Sequence, residues 1–136
     1  MNNLDLIKIA LESRKYSYSP YSGFSVGAAL FCNDGSVYTG CNIENSAFSP
    51  TNCAERTAFF KAVSEGKRNF LKIAVVGADS SKENPDNYCP PCGVCRQVMK
   101  EFCSGDFEII IAKNINDYKI LTLSELLPLS FDKREV

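Results

Sequence analysis

The chain has 136 residues, 45% of them hydrophobic and 23% charged, with a net charge of −1 and no histidine. That length suits a single domain over residues 1–136. The charge balance excludes the basic stripe of a nucleic-acid module, and no apolar run reaches the roughly 18–20 residues of a membrane span. The start, Met1 to Lys8, carries neither a basic leader nor an apolar core, so no secretory signal is expected. Seven cysteines cannot all pair within one chain. A reduced, cytoplasmic setting fits them better than a disulfide framework. Without histidine, any proton transfer falls to a carboxylate, a thiol, a Tyr or a Lys.

Leu4, Ile7, Ala10 and Leu11 recur at helical spacing, with Lys8, Glu12 and Arg14 on the other side. This first helix ends before Ser19-Pro20, and Ser19 to Gly23 is turn chemistry. Phe24 to Cys32 alternates as a strand, with Val26, Ala28 and Leu30 on one face. Gly27 weakens that strand unless something packs close to it. Asn33-Asp34-Gly35 is a hairpin turn, and Ser36 to Cys41 returns as a second strand. Asn42-Ile43-Glu44-Asn45 follows, at a strand end where ligand crevices form in α/β sheets.

A second helix opens at Thr51 or Asn52 and runs to Gly66. Asn52 with Glu55 three residues later matches a capping box. Leu71 to Ala78 reads as a strand buried on both faces. A polar, proline-bearing loop leads to a third helix from Cys92 to about Cys103, stopped by Gly105. Phe107 to Ala112 is another buried strand, and Tyr118 to Leu121 a short last one. Thr122-Leu123-Ser124-Glu125 is a capping box opening a short helix that Pro128 ends. The order implies an α/β/α sandwich. Helices after the second and third strands look like crossovers, so the middle of the sheet is expected to be parallel.

Cys53-Ala54-Glu55-Arg56 and Pro91-Cys92-Gly93-Val94-Cys95 carry the chemistry. Cys53, Cys92 and Cys95 supply three soft ligands, the number a catalytic zinc takes when a fourth position stays open to water. Cys53 and Cys92 fall at helix starts, where the dipole and free N–H groups favour thiolate. Cys92 and Cys95, three apart, share a helix face. Three thiolates overcompensate the metal, and Arg56 is placed to hydrogen-bond one of them. Cys89 makes an overlapping Cys-x-x-Cys with Cys92. A closed four-thiolate site using it would leave Glu55 idle, and Pro90-Pro91 stiffens the backbone between them. Cys32, Cys41 and Cys103 read as small buried hydrophobes.

A metal ligand, one residue and a Glu upstream of Pro-Cys-x-x-Cys is a zinc-deaminase signature. From about Tyr18 to Phe131 the chain resembles the small, all-cysteine cytidine deaminases. The resemblance implies a five-stranded mixed sheet and one Zn²⁺ per subunit. It implies deamination of free cytidine and deoxycytidine, as in pyrimidine salvage, with Glu55 as the proton carrier. Backbone groups near Ala54 and Cys92 are placed to orient the base, and the resemblance implies that Asn42 and Glu44 grip the ribose and that Phe24 packs against the substrate. Glu44 would also repel a 5′-phosphate. Many relatives carry Tyr at the position of Phe48. The short members form homotetramers in which an aromatic matching Phe131 reaches a neighbour's site. Neither nucleic acid nor membrane is an expected partner. Two alternatives stand beside this reading: a deaminase of a cytosine-containing antibiotic such as blasticidin S, and a non-catalytic zinc-stabilised interaction domain.

Overall fold

The computed structural model describes residues 1–133. Helix α1 (Asn3–Ser13) starts on an Asn2 side chain that accepts from the Asp5 amide, and runs into a 3₁₀ turn at Arg14–Tyr16. Strands β1 (Phe24–Cys32) and β2 (Val37–Cys41) form the expected hairpin. Helix α2 (Ala54–Ser64), strand β3 (Phe70–Asp79), helix α3 (Gly93–Phe102), strands β4 (Glu108–Asn114) and β5 (Asp117–Thr122), and the short helix α4 (Leu123–Leu126) follow. The capping box at Thr122 and Glu125 is present.

The five strands make one sheet in the order β2-β1-β3-β4-β5. Only β3 and β4 pair in parallel; β1 lies antiparallel to both of its neighbours. The expected parallel centre is therefore confined to one strand pair. The reason is topological. The crossover through α2 joins β2 to β3, two strands of the same direction, but β1 lies between them. The crossover through α3 joins direct neighbours.

Each face of the sheet has its own core. Leu6, Ile7 and Ala10 of α1 pack on Ala29, Ala74, Val76, Ile110 and Ala112. On the other face α2, α3 and α4 cover Ala28, Leu30, Ile73, Val75, Ile109 and Ile111. The result is three layers, α/β/α. Phe59, fully buried beneath α2, meets Phe70 and Phe107 edge-on at 5.0 and 6.0 Å.

Two glycines let helices sit flush on the strands. A Cβ at Gly27 would stand 2.0 Å from the Ala10 carbonyl of α1, which explains a glycine inside that strand. A Cβ at Gly40 would stand 2.1 Å from the Ala54 carbonyl at the start of α2. Gly40 thus seats the helix end that carries Cys53.

Arg14 differs from expectation. It does not face solvent with Lys8 and Glu12 but is buried, at 8% exposure. It stands four residues after Ala10 and seven after Ile7, on the buried face of α1. Its guanidinium donates to the carbonyls of Ser25, Ala78, Asp79, Lys82 and Glu83, bracing the loop that follows β3. Burial lowers its pKa.

Candidate metal centre and cleft

Helices α2 and α3 direct their N-termini at the same place. Cys53 is the N-cap of α2 and Cys92 the N-cap of α3, both in extended conformation. Each carbonyl accepts the first helical bond, from Thr57 and Arg96 at 3.0 Å. Neither thiol caps its own helix. The side chains are left to converge instead.

Helix α2 opens at Ala54, two or three residues later than the spacing suggested. The proposed Asn52–Glu55 capping box is absent, because Asn52 lies outside the cap position and its amide donates to Thr57 Oγ1. Glu55 is thereby released from a capping role and points into the protein, 4% exposed.

Cys95, in the first turn of α3, completes the cluster and is fully buried. The sulfurs of Cys53 and Cys92 are 3.7 Å apart, and those of Cys92 and Cys95 are 3.5 Å apart. All three lie within 4.8 Å of one another. Tetrahedral zinc with Zn–S near 2.3 Å needs sulfurs about 3.8 Å apart. Donor type and spacing both fit zinc. A second observation agrees. Arg56 Nη2 donates to Cys53 Sγ at 3.3 Å, while its buried Nε has no acceptor. An under-paired guanidinium beside the cluster suits thiolates better than thiols. The Cys53 thiol is pulled down to about 5, first by the hydrogen bond from Cys95 and then by Arg56 and Cys92. The Cys95 proton, donated to Cys53, is correspondingly held more tightly.

Cys89 stays outside the cluster. Its sulfur lies over Gly77 beside the Phe24 ring; a Cβ on Gly77 would approach it to 2.8 Å. Burial pushes this thiol up to about 12. Cys32 is buried as expected, whereas Cys41 and Cys103 are only partly so.

A cleft of about 320 Å³ opens beside the thiols. Phe24, Asn42, Glu44, Cys53, Ala54, Glu55 and Cys92 all line it, and so does Cys89. Desolvation raises the Glu55 carboxyl to about 7, so near neutrality it can either hold or release a proton. Asn42 and Glu44 serve the protein as well as the cleft. Asn42 Oδ1 accepts from the Val26 amide at 2.9 Å, and Nδ2 donates to the Phe24 carbonyl at 2.8 Å. The Glu44 carboxylate accepts from the amides of Tyr21 and Ser22 and from the Ser22 hydroxyl at 2.5 Å. The Ser22 bonds hold its pKa below the usual value. Strand-like bridges from Ile43 tie this segment to Tyr18 on one side and Asn52 on the other.

Phe131 is not among the cleft residues of its own chain and is 56% exposed. Phe48 is 92% exposed. Sequence reasoning missed Ser22, Val26, Thr51, Asn52 and Pro90, which also line the cleft. Only Ser22 carried a signal, as part of the turn before β1.

The family model described as "Cytidine and deoxycytidylate deaminase zinc-binding region" matches residues 1–111. A protein of Sporosarcina psychrophila named cytidine deaminase is 51% identical over 136 residues, spanning 98% of this chain and 96% of its own. The crystal structure of cytidine deaminase from Burkholderia pseudomallei superposes with a TM-score of 0.87 at 42% identity, over 96% of this chain and all of that one. A more distant relative, blasticidin-S deaminase of Bacillus cereus, is 30% identical over 96% of this chain and 93% of its own.

Proposed function

Because this chain belongs to the cytidine and deoxycytidylate deaminase family and is a zinc-dependent enzyme that deaminates cytidine, we propose that Glu55 is its proton carrier. Cys53, Cys92 and Cys95 would hold the metal. When bound, zinc supplies a Lewis acid that makes water nucleophilic toward the amino-bearing carbon of the base. The chain's own residues do the rest. Glu55 accepts a proton from the attacking water, delivers it to the ring nitrogen N3, and then assists departure of the amino group as ammonia. The carboxyl is itself only 4% exposed, so a proton once taken is kept for the substrate. Arg56 donates to Cys53 and offsets the negative charge of three thiolates. Backbone groups near Ala54 orient the base, and Phe24 flanks it.

The observation that carries this assignment is a buried carboxyl that lines one cleft with Cys53 and Cys92, two of three sulfurs at zinc-ligand spacing. Ammonia release from cytidine, measured with metal content in parallel, tests it. Activity that persists after complete zinc removal would sink the assignment.

Free nucleosides, ribo and deoxy, are the substrates we assign, since Asn42 and Glu44 both line the cleft. The blasticidin S reading rests on the more distant relative, and Asn42 with Glu44 favours the free nucleoside over it. Turnover of blasticidin S in preference to cytidine would reverse the choice. The exposed rings of Phe48 and Phe131 support a homotetramer in which Phe131 completes a neighbour's cleft. Seven free thiols support a cytoplasmic place in pyrimidine salvage. Among the described residues no helix is long and apolar enough to cross a membrane.

A further inference from the structure

The orientation of the Asn42 amide is forced by its partners. The atom facing the Val26 amide must be oxygen, because a main-chain N–H only donates. The atom facing the Phe24 carbonyl must be nitrogen, because that group only accepts. Ser17 Oγ lies 2.5 Å from the amide oxygen, so Ser17 must spend its single hydrogen there. Ser17 Oγ also stands 3.2 Å from the Ser19 hydroxyl. Ser19 in turn lies 3.3 Å from the hydroxyls of Ser25 and Ser80, which are 2.6 Å from each other. The four hydroxyls form a relay that reaches Asn42 through Ser17.

The far end of the relay is held as firmly. The Ser80 amide donates to the Gly23 carbonyl at 2.7 Å. Arg14 clamps the Ser25 carbonyl and those of Ala78, Asp79, Lys82 and Glu83 around it. The main chain on either side of Ser17 is fixed independently of its hydroxyl. The Tyr18 amide donates to the Asn42 carbonyl at 3.0 Å, and the Glu44 amide to the Tyr18 carbonyl at 2.8 Å.

With oxygen doubly occupied and one N–H on Phe24, Asn42 retains one N–H for the cleft it lines. It can offer a donor and nothing else. Glu44 beside it offers only acceptors. Together they match a sugar hydroxyl, which gives and takes one hydrogen bond. We propose that Ser17, backed by the Ser19–Ser25–Ser80 hydroxyls, is a positioning residue for nucleoside recognition, locking Asn42 as a pure donor toward the sugar ring hydroxyls. This rests on the assignment of Asn42 to the sugar. Without Ser17 the amide keeps only the Val26 bond on its oxygen, and it meets the sugar hydroxyl in a less defined geometry.

The test compares cytidine with 2′,3′-dideoxycytidine, which lacks both ring hydroxyls, on the zinc-loaded enzyme. Ser17→Ala is expected to raise KM for cytidine roughly five-fold, the worth of one neutral hydrogen bond, with kcat little changed. Kinetics on the dideoxynucleoside should match the unsubstituted enzyme. Ser17→Thr, which keeps the hydroxyl, should restore the preference for cytidine. Zinc content and Tm, read in parallel, identify a general loss of fold. If Ser17→Ala weakens both substrates equally, or neither, the positioning role is overturned. Asn42→Ala separates the two claims. If it abolishes the preference for cytidine and Ser17→Ala does not, only the role of Ser17 fails. If Asn42→Ala leaves the preference intact, the sugar assignment fails and the role of Ser17 with it.

Discussion

The metal end of the cleft and the end proposed to hold the sugar are built in opposite ways. At the metal end three thiols and one carboxyl come from two short motifs, each folded by its own helix start. Ligand spacing within a motif is a local matter of helical geometry, and little beyond the meeting of two helix ends is asked of the tertiary structure. At the sugar end Asn42 and Glu44 draw their order from residues up to 25 positions away, with Ser17 holding one and the Tyr21–Ser22 amides the other. The first region is stiff because its helices are. The second is stiff because a network of hydrogen bonds satisfies itself. Damage at the metal end is therefore expected to be all-or-none, and damage at the sugar end graded.

The largest effect should come from Cys92→Ser, which removes the thiol shared by both short sulfur contacts. Metal and stability should fall together, because zinc binding is linked to folding. Zinc stoichiometry and thermal unfolding check this. Cys89→Ser is its control, expected near neutral, since Cys89 lies over Gly77 and outside the cluster. Identical behaviour of the two variants would show the ligand set to be wrongly drawn.

Glu55→Gln keeps the shape of the buried side chain and removes its proton chemistry. Zinc should remain while turnover drops by roughly 10²–10⁴. Turnover near the unsubstituted rate would exclude Glu55 as the carrier. At the sugar end Asn42→Ala should cost about 1–3 kcal/mol in kcat/KM for cytidine, through partners left unpaired. Some of that loss should appear as lowered Tm, because Val26, Phe24 and Ser17 all lose a bond. A drop in Tm with cytidine kinetics intact would make Asn42 structural only.

The smallest effect belongs to Phe131→Ala. Stacking contributes about 0.5–1.5 kcal/mol beyond area burial, so KM for cytidine should rise modestly with zinc retained. A fully active monomer in sedimentation at assay concentration would rule out a shared cleft.

Much of the fold was legible because strand and helix periods are local. The buried runs around Ile73–Val76 and Ile109–Ile111 announced β3 and β4. Helix starts were less so. Asn52 and Glu55 satisfy a capping pattern, yet the chain passes over Asn52 and caps α2 on Cys53. Ile43 pairs with Asn52 and holds it in extended backbone, a contact no spacing rule contains.

The sequence by itself determined the candidate chemistry, since thiols three apart at one helix start and a carboxyl two after another thiol make a pattern that resembles a deaminase zinc site. Only the tertiary structure decided that β1 separates β2 from β3, that Arg14 braces the loop after β3, and that serines at positions 17, 19, 25 and 80 cluster with Ser17 reaching Asn42. The physical reason is range. Helical spacing and metal-ligand preference act over a few residues, whereas strand order and the pairing of buried polar groups are settled by what the rest of the chain brings alongside.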